Sequence, residues 1–294
     1  MVKSSGMDRA FDALVIALLG VLLLAVLYPL YFVVIASLSD PLLVMSGKVI
    51  WKTGGATLEA YRLVFRNSLV LSGYRNTLAY TGVGTLLNLL MTVCAAYPLS
   101  RGRLRGKQFF LGMMMITMFF SGGMIPSYVM INRMKLLDTF WVMILPNALS
   151  VWNVMIMRTF FASSIPRELE EAALVDGADH LRTLRSVILP LSKPILAVMV
   201  VFYAVAHWNS YFNGLIYLSS QSKFPLQLVL RAILIQNQMP EEMFLDVGDT
   251  YSRQLMSETL KYALIVVASI PVLCLYPFAQ RFFVQGVMIG SVKG

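Results

Sequence analysis

The chain has 294 residues, 58% hydrophobic and 13% charged, with a mean hydropathy of +0.72. An ordinary soluble domain carries about 25% charge, so this composition excludes one and points to an integral membrane protein. The net charge of +9 has no charged face behind it, against nucleic-acid binding, and Cys94 and Cys274 sit in apolar runs, against a disulfide framework or metal cluster.

Six charge-free apolar stretches follow in chain order: Ala13–Ser39, Asn76–Ser100, Gln108–Asn132, Thr139–Met157, Pro194–Ser222 and Tyr262–Gln280. Each matches or approaches the roughly 20 residues that cross a bilayer as a helix, and none alternates like a barrel strand. The first runs past the roughly 15 apolar residues of a signal peptide and has no small-residue cleavage site, so it reads as a retained helix. The predicted organisation is a tail over 1–12, a six-helix all-α membrane domain over 13–282, and a second tail over 283–294.

Orientation comes from cations in short loops. Arg101, Arg103, Arg105 and Lys107 share the loop after the second span, which places that loop in the cytoplasm. Both termini and the loop over 162–193 are then cytoplasmic too. Gly102-x-x-x-Gly106-Lys107 imitates a phosphate loop, but Walker A needs four residues between the glycines and Ser or Thr after the lysine. Here there are three, and Gln108 follows.

Within the spans there is no Asp, Glu, Lys or Arg, and one histidine, His207. Intramembrane ionisable groups mark proton relays and voltage sensors, so their absence argues against a proton-coupled carrier or a voltage-gated channel. No Ser-His-Asp set has its acid there, and His180 with His207 makes no zinc motif. Energy for transport is expected from another chain.

The loop between the fourth and fifth spans carries the most specific pattern. Pro166 suits a first helical turn, and Glu168, Glu170 and Glu171 behind it complement the helix dipole. Ala172 and Ala173 leave room for a close partner, and Gly177 can supply a positive-φ break. With the amphipathic stretch Leu181–Ile188, this reads as two short helices joined by a glycine turn, or as an acidic linker.

Glu171-Ala172-Ala173-x-x-Asp176-Gly177-Ala178, followed by Ile188-Leu189-Pro190 and Pro194, resembles the EAA loop of ABC-importer permeases. Ala95–Arg101, Met124-Ile125-Pro126, Leu137-Asp138-Thr139, Ile144-Leu145-Pro146, Arg158–Phe161 and Trp208-Asn209 extend the likeness to carbohydrate-importer permeases. The type is that of the maltose importer's smaller permease subunit and its oligosaccharide-transporting relatives. The likeness runs from about residue 75 to the C-terminus. It departs at Leu184, where the family often has Phe.

The resemblance implies a type I importer permease of a bacterial cytoplasmic membrane, with no ATPase site of its own. Partners implied are a second permease, two ATPase subunits that carry the ATP and Mg, an extracytoplasmic solute-binding protein, and membrane lipid. It assigns ATPase coupling to Glu171, Ala172, Ala173, Asp176, Gly177 and Ala178, with a carbohydrate as cargo. The tail, with Gly286, Gly290 and Lys293, is expected to dock between the ATPase subunits, glycine at every fourth position permitting close approach. A permease for another solute class and a receptor or scaffold remain the alternatives.

Sugars bind through aromatic faces and uncharged hydrogen-bonding groups. The fifth span concentrates both in Tyr203, His207, Trp208, Asn209, Tyr211 and Asn213. Ala204, His207, Trp208 and Tyr211 share a helical stripe. The competing reading is interfacial aromatics and an Asn that ties helices together. In the third span, Ser121-Gly122-Gly123 with Pro126 forms a weak helix able to bend.

Overall fold

The computed structural model describes residues 6–102, 104–235 and 250–288, except the side chains at 250–254, 278, 279 and 281–288. Fourteen α-helices are found among the described residues, with short 3-10 and π turns between them and no strand. The chain divides into two compact units, residues 1–68 with 232–269 and residues 69–231 with 270–294.

In the first unit, α1 (Gly6–Ser37) is apolar on every side beyond Asp12, and its most hydrophobic window is 0% buried. A helix apolar all round with no protein cover is one that lipid solvates. Pro41 opens α2 (Pro41–Met45), where the Asp40 side chain accepts the Leu42 amide at 2.8 Å. Helix α3 (Glu59–Arg66) is strongly amphipathic and buries Ala60, Leu63 and Val64. The Ser37 and Tyr61 hydroxyls pair at 2.7 Å, joining α1 to α3.

The second unit begins with α4 (Ser68–Ser100), which crosses its length on small and polar residues: Gly73, Thr77, Gly84, Asn88 and Thr92 are all buried. Helices α5 (Lys107–Phe119) and α6 (Met124–Arg133) occupy the predicted third span, which is bent by 114°. The break falls at Phe120–Gly123, where Gly123 takes φ +85, a conformation costly for any side chain. The predicted fourth span opens as 3-10 turns at Phe140–Met143 and Leu145–Asn147. Helix α7 (Val151–Ser163) follows, and the pair bends by 52°. Helix α7 runs past the predicted end at Met157 because Arg158 is satisfied within the protein. Its Nε donates to the Leu99 carbonyl at 3.0 Å, at the negative end of α4.

Next come α8 (Arg167–Val175), α9 (His180–Thr183), a π turn at Leu184–Ile188, α10 (Leu189–Leu191) and α11 (Lys193–Trp208). The predicted fifth span stops at Asn209 and resumes as α12 (Tyr211–Tyr217). Asn209 Nδ2 donates to the Val205 carbonyl at 2.9 Å and Ser210 Oγ to the His207 carbonyl at 2.6 Å. Side chains thus take up the last carbonyls and end the helix. Helix α13 (Leu226–Leu234) and the long α14 (Thr250–Met288) are the last of the described elements. Among the described residues, three helices are long and apolar enough to cross a membrane, and up to six spans result if each bent pair is one.

The core of the second unit joins α4, α7 and α11 through Val93, Tyr97, Val154, Met157, Phe161, Ile195, Met199 and Tyr203. Ile165 and Ile188, at the two ends of the α8–α9 loop, are buried in the same cluster.

Candidate functional site

A cavity of about 330 Å³ opens between α4, α7, α11 and α12. Its wall holds Asn88, Asn147, Ser150, Asn153, Tyr203, His207, Asn209, Ser210, Tyr211 and Asn213, with Phe202, Ala206 and Phe212 supplying apolar surface. No lining residue is an acid, a lysine or an arginine. Such a wall offers amide, hydroxyl, imidazole and aromatic groups to a ligand rich in hydroxyls.

Three helical segments are pinned together here by one side chain. Asn88, fully buried, donates through Nδ2 to the Asn147 carbonyl at 2.6 Å, and its Oδ1 lies 2.6 Å from His207 Nε2. With the amide oriented so, His207 donates from Nε2 and Nδ1 carries the lone pair, a tautomer assigned from the network. Gly84 makes the approach possible, because a Cβ there would stand 2.4 Å from His207 Nε2. One turn away, the Thr92 and Tyr203 hydroxyls meet at 2.6 Å.

Of the six residues expected to share a path, five line the cavity: Tyr203, His207, Asn209, Tyr211 and Asn213. Trp208 does not; it is 3% exposed and packs edge-on against Tyr74 of α4 at 5.6 Å. The helical stripe grouped it with His207, but the break at Asn209 turns Tyr211 and Asn213 independently of α11. Sequence reasoning missed Asn88, Asn147, Ser150 and Asn153. The available signal was their polarity inside otherwise apolar spans.

The α8–α9 loop has the two helices and glycine turn expected of it. Gly177 takes φ +83, and the amides of Asp176, Gly177 and Ala178 return to carbonyls of α8, closing its C-terminus. Asp179 then caps α9 by accepting the Arg182 amide at 2.6 Å. Glu171, Ala172, Asp176 and Gly177 are exposed, while Ala173 and Ala178 are half-buried. Val175 beside them is 87% exposed, a large apolar group bare to its surroundings. Gly290 and Lys293 lie outside the described residues; Gly286 falls in the last turns of α14.

A second polar cluster joins the residues after α6 to those after α12. Asp138, at φ +53, accepts the amides of Ser219 and Ser220 at 3.1 and 3.0 Å, the Ser220 hydroxyl at 2.5 Å and Lys223 Nζ at 2.9 Å. The Ser220 hydroxyl, then the Ser220 amide and Lys223, hold its carboxyl well below the usual carboxylate range. Asn76, Tyr80 and Thr77 of α4 bond the same Ser222–Leu226 segment. Among the described residues, no group of three or more His, Cys, Asp or Glu is placed to hold a metal.

Known proteins resemble this chain along nearly all of its length. The protein LplC of Bacillus subtilis (strain 168) is 41% identical over 239 residues, covering 81% of this chain and 79% of that protein. The polygalacturonan/rhamnogalacturonan transport system permease protein YtcP of the same organism is 37% identical, covering 98% and 99%. A chain from the crystal structure of a bacterial ABC transporter involved in import of the acidic polysaccharide alginate superposes with a TM-score of 0.87. It is 33% identical, covering 96% of this chain and 100% of that one. With residues 3–289 matching the family as a whole, this chain belongs to the binding-protein-dependent transport system inner membrane components.

Proposed function

We propose that this chain is one of two permease subunits of an ATP-driven importer that brings an oligosaccharide across a bacterial cytoplasmic membrane. The observation that carries the reading is the uncharged cavity walled by Asn88, Asn147, Asn153, His207, Tyr211 and Asn213. The names of the similar polygalacturonan/rhamnogalacturonan permease and alginate transporter support the same cargo class. Both termini and the α8–α9 loop face the cytoplasm, where two ATPase subunits bind and hydrolyse ATP with Mg. A binding protein delivers the sugar from outside. This chain carries no ATPase site, and its tail with Gly286, Gly290 and Lys293 docks between the ATPases.

Glu171, with Ala172, Ala173, Asp176, Gly177 and Ala178, transmits the ATPase movement. Glu171 is exposed and free to meet a cation on the partner. Leaving such an interfacial charge unpaired costs roughly 2–5 kcal/mol, so Glu171→Lys disrupts assembly or coupling. The test of the whole reading is the four-chain assembly in vesicles with its binding protein. ATP hydrolysis is screened against oligogalacturonides, rhamnogalacturonan fragments, alginate oligomers and maltodextrins. Stimulation by a sugar is expected. Stimulation by peptides or polyamines alone moves the chain to another solute class, and no stimulation at all leaves a docking scaffold.

A further inference from the structure

Arg101 and Glu170 form a buried ion pair outside the cavity, each 8% exposed. Glu170 is the one buried residue of α8; Glu168, Leu169 and Glu171 around it are exposed. Arg101 Nε stands 2.8 Å from Glu170 Oε2 without being aligned for a hydrogen bond, and Tyr97 donates its hydroxyl to Oε1 at 3.1 Å. The guanidinium lies 5.7 Å from the centre of the Tyr97 ring, and Nη1 reaches the Phe161 carbonyl at 3.4 Å. Nη2 is buried and has no partner among the described residues.

This is a poor arrangement for stability alone. Two desolvated charges with an unaligned contact and an idle donor are often matched or bettered by apolar side chains of equal volume. What an ion pair adds is direction. Ile165 and Ile188 hold the ends of the loop by packing, which does not resist rotation, whereas Glu170 ties the middle of α8 to one point. That point is the end of α4, the helix that carries Asn88 in the cavity wall. Asn88 lies twelve residues before Ser100 on the same helix, roughly 18 Å at 1.5 Å per residue.

We propose that Arg101 is a positioning residue that, through Glu170, locks α8 to α4, so that movement of the Glu171–Ala178 turn is delivered to Asn88 in the cavity wall. The proposal rests on the importer-permease reading and adds the route by which its coupling loop reaches the cargo path. Tyr97 serves the lock by holding the carboxylate through its hydroxyl and the guanidinium through its ring face. A coupling route is demonstrated by a measured link between its ends and not by proximity, so the test reads the link itself.

The importer assembly is purified through a tag on this chain, with Cys94 and Cys274 replaced by alanine and nitroxides placed at Val175→Cys in α8 and Leu90→Cys in α4. Pulsed electron resonance measures the distance between them with and without ATP and Mg. The lock predicts one narrow distance that ATP leaves unchanged. The double variant Arg101→Met, Glu170→Gln removes both charges together, so it assembles even where Glu170→Gln alone does not. In it the narrow distance is lost while the melting temperature stays near that of the parent, a separation that a merely stabilising pair would not produce. A parent distance that shifts with ATP, or a double variant that keeps the narrow distance, overturns the lock. ATP hydrolysis by the parent is recorded in parallel: its complete absence removes the importer reading and the lock together, while its presence confines any failure to the lock.

Discussion

Around the cavity, polar side chains are uncharged, and those that tie its helices together are buried: Asn88 bonds the Asn147 carbonyl and His207, and Thr92 bonds Tyr203. At the α8–α9 loop the charged side chains are exposed except Glu170, which is drawn inside against Arg101. The two regions also use glycine differently. Gly84 is required for space, since a Cβ would collide with His207, whereas Gly177 has nothing within 4 Å and is required for its positive φ. The lesson is physical: where water is excluded, neutral amides bond helices without a desolvated charge, and where a partner is to dock, charge and bare apolar groups stay outside.

That contrast breaks most visibly at Trp208. If it is packing and not cavity wall, Trp208→Ala lowers the stability of the solubilised chain by about 3–5 kcal/mol, read as a fall in melting temperature. A stable variant with altered uptake would return Trp208 to the cargo path. Gly84→Val comes next, at about 1–3 kcal/mol for overpacking, and adding His207→Ala should restore part of the loss by vacating the space. Failure of that rescue would mean the contact at Gly84 is not the limiting one.

Gly177→Val should cost about 1–2 kcal/mol for the left-handed turn, confined to the loop. The expected readout is lost ATPase coupling with little change in the melting of the membrane helices; a matching fall in both would deny that the two regions are separable. Asp138→Asn removes the acceptor of the Ser220 hydroxyl and the Lys223 charge, worth about 1 kcal/mol at a half-exposed site. Because the folded carboxyl titrates below its ordinary value, its contribution is whole above the unfolded pKa of about 3.9. It fades as pH falls from there through the folded value. Melting of the parent should therefore lose this increment only in acid, and Asp138→Asn should flatten that slope; an unchanged slope would assign it elsewhere. Smallest is Asn213→Ala: one neutral hydrogen bond of about 1 kcal/mol changes the KM for uptake roughly fivefold without affecting assembly. Loss of assembly alone would make Asn213 a packing residue.

Much of this was legible in the residues. Charge-free stretches long enough to cross a bilayer marked a helical membrane protein, because a bilayer interior admits few charges and no unpaired backbone. The run from Glu171 to Ala178 carried its helix–turn–helix in local preferences: alanines for helix, glycine for the positive-φ turn. Ser121-Gly122-Gly123 likewise announced a weak point, and the third predicted span bends there by 114°.

What local preference could not reach were the pairings. Asn88 is one asparagine in a long apolar helix, and nothing near it in the chain names Asn147 or His207 as its partners, 59 and 119 residues away. Arg101 read as one cation of a cytoplasmic anchor, and Glu170 as one acid of a helix N-terminus; that these two turn inward to each other follows from where α4 and α8 meet. Hydropathy averages over a window and so records how much of a segment avoids water. Which few polar atoms find each other across the packed helices depends on distances between segments, and those exist only once the chain has folded.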